Sequence, residues 1–188
     1  MKELSLNILD IAMNSVKAGA KNVTLILNES ENEFCFSVAD DGCGMTEEFL
    51  KRVTDPFCTT RTTRRVGMGI PFLKLIAEQT GGHISITSRA ESEYPDSHGT
   101  TTTAYFNKNH IDCLPLGDIV STVFTLIQGS PNIDFEFKHI FEGRGEVSLS
   151  TKALREVLGD IGLDCPEVAL WIKEYLEEQY SEVKKYKI

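Results

Sequence analysis

The stretch VADDGCGM, Val38 to Met45, runs an apolar strand into Asp40 and Asp41 and then into two glycines one residue apart. A carboxylate at the end of a strand can accept a hydrogen from an exocyclic amine such as N6 of adenine, whereas the oxygen of guanine at that place would repel it. Gly42 and Gly44 remove side chains where a flat base would approach the backbone, and they permit positive φ in the turn. Taken alone, an Asp-Gly pair is also simply a turn. A second stretch, DPFCTTRTTRRVGMGIPF, places Gly67 and Gly69 around Met68 just before a helical pattern. Backbone amides at such a positive helix end suit a triphosphate, and Arg61, Arg64 and Arg65 in the preceding loop could close over it. A lone GxG and an arginine cluster are equally at home in a solvated loop. Asp10 and Asn14, four residues apart, project from one face of a third stretch, with Asn7 and Lys17 extending that stripe a turn either way. By themselves they read as the solvated side of an amphipathic helix.

The elements that must position these residues follow from periodicity. Leu4, Ile8, Ile11, Ala12, Ser15 and Ala18 recur at helical spacing, with Gly19 closing the helix. VTLILN and EFCFSVAD read as a hairpin around ESEN, and Thr46 caps a short helix. IPFLKLIAEQTGG is a helix with Pro71 in its first turn and Gly81 and Gly82 beyond its end. HISITSR and TTTAYFN form a second pair of strands. This order predicts an α+β fold, a sheet with its helices on one face. After about residue 109 the pattern restarts as helix, two strands and two helices, so the expected division is a domain over 1–109 and a small αββαα module over 110–188.

With 41% hydrophobic and 25% charged residues the composition is that of a globular protein, and no apolar run approaches the roughly 20 residues of a membrane span. No export signal is visible, which gives the expectation of a cytoplasmic protein without a membrane partner. The five cysteines are odd in number and lack CxxC spacing, arguing against a disulfide framework or a zinc site. Residues 1–109 carry 11 Lys+Arg against 14 Asp+Glu, and residues 110–188 carry 8 against 14. Without a basic excess, nucleic acid is not the expected main partner.

Taken together and in this order, the motifs resemble those of the GHKL, or Bergerat-fold, ATPase superfamily of gyrase, the large heat-shock chaperone, mismatch-repair ATPases and histidine kinases. The first is D-I-A-M-N, Asp10 to Asn14, followed by S-V-K-A-G-A-K as in the mismatch-repair version. The second is D-D-G-C-G, matching D-x-G-x-G. The third, P-F-C-T-T-R with G-M-G-I, is similar to segments of histidine kinases, and Gly99-Thr100 matches the final G-T. The likeness covers roughly residues 3–107.

That resemblance implies a Bergerat-type α/β sandwich, with ATP and Mg²⁺ as cofactors. Asn14 would hold the metal against the phosphates, and Lys17 would face them. Asp40 would read adenine, with Gly42 and Gly44 beside it, Met45 packed near the base and Thr100 bonding close by. Phe57 would shape the base of a lid, Thr59, Thr60 and Arg61 would lead into it, and Gly67, Met68 and Gly69 would supply phosphate amides. Asp10 stands where hydrolytic members carry Glu and histidine kinases usually carry Asn, which makes it the candidate general base. His83, His98, His110 and His139 fall in strands or loops, so a complete sensor kinase with its own phosphoacceptor helix is not expected. The implied activity is that of a protein kinase or ATPase acting on a partner protein. A non-catalytic, ATP-dependent regulatory or scaffold subunit is the alternative. Residues 110–188 serve either as a packing extension or as a partner-docking module.

Overall fold

Val23, Leu25 and Leu27 alternate with residues that keep part of their surface in solvent, the pattern of a strand with one buried face. They lie on β1 (Asn22–Glu29), which pairs antiparallel with β2 (Glu33–Asp40), Leu25 opposite Val38. The computed structural model that displays this pairing describes residues 3–55 and 69–185. Beyond β2 lie β4 (Gly99–Asn107) and, at the edge, β3 (His83–Arg89). On the other flank of β1, β5 (Asp134–Phe141) runs parallel to it and carries β6 (Gly145–Ser150) as a hairpin. The result is one mixed sheet of order β3-β4-β2-β1-β5-β6, so strands from before and after residue 110 share a single ladder.

One face of the sheet is apolar across all six strands. Phe36 lies between Leu27 and Ala104 in the ladder, and Phe137 between Leu25 and Leu149, all of them buried. This face packs into a common core with apolar residues of α1 (Leu4–Lys17), α3 (Gly69–Gln79), α4 (Ile119–Gly129) and α6 (Pro166–Lys185). The short α2 (Glu47–Leu50) is capped by Thr46, whose Oγ1 accepts from Phe49 N, and α5 (Thr151–Leu158) follows β6. The opposite face is hydroxyl-rich, with Ser37 bonded to Thr103 and the His83 ring stacked on Tyr105. The expected helices on one face of a mixed sheet are therefore present. No described helix is long and apolar enough to cross a membrane.

The polar stripe expected on α1 ends one turn earlier than its spacing suggests. Asn7 is buried at 2% exposure and donates through Nδ2 to Glu3 O. The cause is the chain after residue 110: Leu4 N and Ser5 N donate to the carbonyls of Pro115 and Leu116, and Thr122 on α4 donates to Ser5 O. These contacts satisfy amides that a helix start leaves without intrahelical partners.

At the far end of β1 from Asn22, Glu29 accepts from Lys108 Nζ at 2.8 Å and faces Nε2 of the fully buried His139 at 3.5 Å. His139 Nδ1 lies 2.9 Å from the Tyr180 hydroxyl on α6. A proton on Nε2 is the arrangement that avoids setting a lone pair against the carboxylate, so the Tyr180 O–H donates to Nδ1. His139 first and Lys108 after it hold the Glu29 carboxyl at about 2, against the opposing effect of burial. Burial pushes the His139 pKa down and that of Tyr180 up. Both Glu29 and His139 bind fewer protons folded than unfolded at acid pH, so stability falls as pH falls. The expected loss begins below the ordinary histidine value of about 6.5 and steepens below about 4.5, where Glu29 takes up a proton in the unfolded chain but not in the folded one, until the folded carboxyl also protonates at about 2. Thermal unfolding followed between pH 8 and 3 checks this, and Glu29→Gln should flatten the lower part of the profile.

Candidate nucleotide-binding site

The consecutive acids Asp40 and Asp41 do different work. Asp41 Oδ1 accepts from the amides of Lys21 and Asn22 at 2.7 and 2.9 Å, and its Oδ2 accepts from Asn22 Nδ2 at 2.7 Å, pinning the start of β1. Burial alone would raise its pKa, but the bonds from Asn22 and Lys21 outweigh this and lower it. Asp40 is held more lightly: Oδ2 accepts from Ser15 Oγ at 2.6 Å and Oδ1 from Gly42 N at 2.9 Å. Each Asp40 oxygen keeps a lone pair for another donor, and the residue remains partly exposed.

Around Asp40 the loop is clamped from both sides. Cys43 N donates to Ala18 O at the end of α1, and Glu91 N donates to Cys43 O. A Cβ on Gly42 would fall 2.7 Å from that of Ala18, and one on Gly44, at φ +64°, would fall 1.9 Å from Arg89 O. The positive φ expected of the turn is present at Gly44, and the atoms that side chains on both glycines would meet belong to the protein itself. His98 Nδ1 lies 2.6 Å from Gly42 O and donates to it, tying the loop to the start of β4.

Thr100 stands opposite Asp40 in the β2–β4 ladder and opposite Ser88 in the β3–β4 ladder. Ser88 Oγ donates to Gly99 O, which leaves it to accept from Met45 N at 2.8 Å and from the Thr100 hydroxyl at 2.8 Å. Met45 and Thr100, both expected near a base, are thus linked through a residue whose role sequence reasoning missed. Ser15 was missed too, although a hydroxyl on the otherwise apolar face of α1 signals a buried partner. Ser88 and His98 carry no comparable signal in the sequence.

The second pole lies along the same helix. Gly69 opens α3, and a Cβ there would lie 3.7 Å from Asp10 Cβ, 3.9 Å from Asn14 Nδ2 and 4.0 Å from Asp10 Oδ2. A helix start, whose first amides have no partner within the helix, is therefore brought beside an exposed carboxylate and an exposed amide that precede it by more than fifty residues in the chain. Lys17 is exposed in the last turn of α1, one turn beyond Asn14. Phe57, Thr59, Thr60, Arg61, Gly67 and Met68 lie outside the described residues. Among the described residues no group of three or more His, Cys, Asp or Glu could hold a metal ion.

Comparison with known proteins bears on this arrangement. Residues 1–110 match the family model described as histidine kinase-, DNA gyrase B- and HSP90-like ATPase. Among curated proteins, sporulation kinase E of Bacillus subtilis is 33% identical over 88 residues, 47% of this chain and 12% of that protein. The sensor histidine kinase CitA of Klebsiella pneumoniae is 29% identical over 102 residues, 53% of this chain and 18% of that one. The chain thus matches less than a fifth of the length of either relative. Among solved structures, the Aquifex aeolicus MutL ATPase domain complexed with ADP superposes with a TM-score of 0.54 at 14% identity, over 84% of this chain and 69% of that one. The N-terminal domain of a DNA repair protein gives 0.53 at 14% identity, over 85% and 58%. These two show the fold, a Bergerat-type mixed sheet with helices. With more than half its length matched by one family model, the chain belongs to the histidine kinase-, DNA gyrase B- and HSP90-like ATPases.

Proposed function

We propose that the protein binds ATP with Mg²⁺ between α1, the Asp40 loop and the start of α3, and uses it as a protein kinase or ATPase acting on a partner protein. The observation that carries this reading is the convergence of Asp10 and Asn14 on Gly69, with Asp40 anchored to Ser15 on the same helix. Asp40 accepts from the amine of adenine, fixing the base. The amides of α3 meet the phosphates at the positive end of that helix. Asn14, whose exposed amide stands beside the start of α3, would be the residue that holds the metal, with the nucleotide itself supplying oxygens as a hard cation of this kind requires. When bound, the metal would supply positive charge that offsets the charge on the phosphates.

Asp10 supplies the chemistry on the protein side. Its carboxylate takes the proton of a water or of a partner hydroxyl as that oxygen bonds to the γ-phosphorus. The bond from phosphorus to the bridging oxygen breaks, and ADP leaves with the electron pair. A second reading is favoured by one feature: an Asp here is a methylene shorter than Glu, which reduces its reach toward a nucleophile. On that reading nucleotide occupancy alone changes affinity for the partner.

Magnesium dependence tests the binding model. Chelation should weaken ATP binding to the wild-type chain by about tenfold or more, the worth of one charge-assisted contact. Asn14→Ala should bind ATP more weakly and respond little to chelation. Unchanged wild-type affinity on chelation removes Asn14 from the metal site.

A further inference from the structure

The outer face of α6 is built unlike the rest of the surface. Its inner face is fully engaged: Val168, Ile172, Leu176 and Val183 are buried, Tyr180 bonds His139, and the Gln179 amide pairs with both backbone groups of Ser148 on edge strand β6. On the outer face Glu167, Leu170, Trp171, Glu174, Tyr175 and Glu178 recur at helical spacing and are all exposed. Leu170 is 58% and Trp171 46% exposed, and the Trp171 and Tyr175 rings stack at 4.9 Å with 14° between their planes. Tyr175 covers one face of the indole, and nearly half of Trp171 stays in solvent. Glu174 and Glu178 form no ion pair among the described residues, while Lys173 turns to Glu177 at 4.0 Å. Large apolar side chains rimmed by unpaired charge mark interaction surfaces.

The charge selects the occupant. A second copy would bring Glu174 and Glu178 against their own like charges in a chain of net charge −9, and nucleic acid would be repelled in the same way. An arginine satisfies both parts of the surface, since its guanidinium stacks on an indole while its N–H fork donates to a carboxylate. Lysine offers only a point charge. We infer that the outer face of α6, centred on Trp171 with Glu174 and Glu178, docks an arginine-bearing segment of a partner protein, with an apolar side chain beside that arginine covering the exposed Leu170. This surface is separated from the Asp40 loop by β1 and β5 in the sheet. It gives the partner invoked above a place to bind, and its test is separable because it reads Trp171 rather than nucleotide turnover.

Trp171 is the single tryptophan of the chain, so its emission reports this face alone. The full chain is titrated with a short synthetic Arg/Leu peptide and with versions carrying Lys or Glu in place of Arg. The expected result is a saturable change in emission with the Arg peptide, a weaker one with Lys and none with Glu. The pair Glu174→Gln with Glu178→Gln should weaken the Arg peptide by about tenfold or more. The pair Glu31→Gln with Glu142→Gln, which removes the same charge elsewhere on the surface, should leave it unchanged. With labelled peptide followed by anisotropy, Trp171→Ala should abolish binding, while circular dichroism verifies the fold. No saturable change, equal response to the Glu peptide, or equal weakening by the control pair overturns the proposal. So does self-association that the Glu174 and Glu178 pair of substitutions alters.

Discussion

Asp40→Asn is expected to lower ATP affinity by about 10- to 100-fold while leaving the fold intact. The range follows from the roughly 1.5 to 3 kcal/mol typical of a hydrogen bond to a charged group. The local geometry fixes how the amide would settle. Gly42 N–H donates to Oδ1 and would repel an N–H there, so the amide turns its oxygen to Gly42 and its NH₂ to Ser15. The Ser15 hydroxyl can rotate to accept, so both anchors survive. What is lost is the negative charge and one acceptor, with a donor now presented to the base. Asp41→Asn provides the contrast, because Asp41 accepts from three donors of Lys21 and Asn22, and an amide could keep its oxygen on the two backbone N–H groups only if the Asn22 side chain turned over, with the charge that strengthens all three bonds lost. That variant should lower the melting temperature with little change in ATP affinity. Calorimetry and thermal unfolding on both variants separate the roles, and the reverse pattern would transfer base recognition from Asp40 to its neighbour.

Asp10→Asn divides the catalytic reading from the switch. The side chain is nearly isosteric and would keep its place beside the start of α3, so ATP affinity should stay within a few fold. Turnover should fall by about 10² to 10⁴, the usual contribution of a positioned general base. The same substitution converts the motif to the form usual in histidine kinases, so a protein that transfers phosphate to a partner histidine should keep its activity. A nucleotide-occupancy switch should show negligible turnover in both proteins with unchanged ATP affinity. Phosphate release and phosphate transfer measured side by side distinguish the three. Equal, measurable phosphate release from both proteins removes Asp10 from the mechanism.

Much of this arrangement was legible in the residues. The period-two alternation in VTLILN and EFCFSVAD places Asp40 at a strand end, and Pro71 with its flanking glycines delimits α3. The partners of these elements were not legible. Alternation in IDFEFKHIF says which face is buried but not which strand lies alongside, so the parallel pairing of β5 with β1 carries no local signature. Asn7 reads as a solvent residue because its burial depends on Pro115, Leu116 and α4, far along the chain. The glycines of DDGCG were legible as necessary, and the positive φ of Gly44 was too, but their close contacts with Ala18 and Arg89 are ones that spacing cannot reveal. Sequence motifs report which residues a site needs more readily than which neighbours make the need.

Calorimetric titration of the full chain with ATP and with GTP, in magnesium, tests the central claim most directly. A single Asp40 carboxylate with free lone pairs should accept from the adenine amine and meet the guanine oxygen unfavourably. Saturable ATP binding is expected, with GTP binding weaker by about a hundredfold or more. Equal affinity for the two nucleotides, or no binding of either, would contradict that claim.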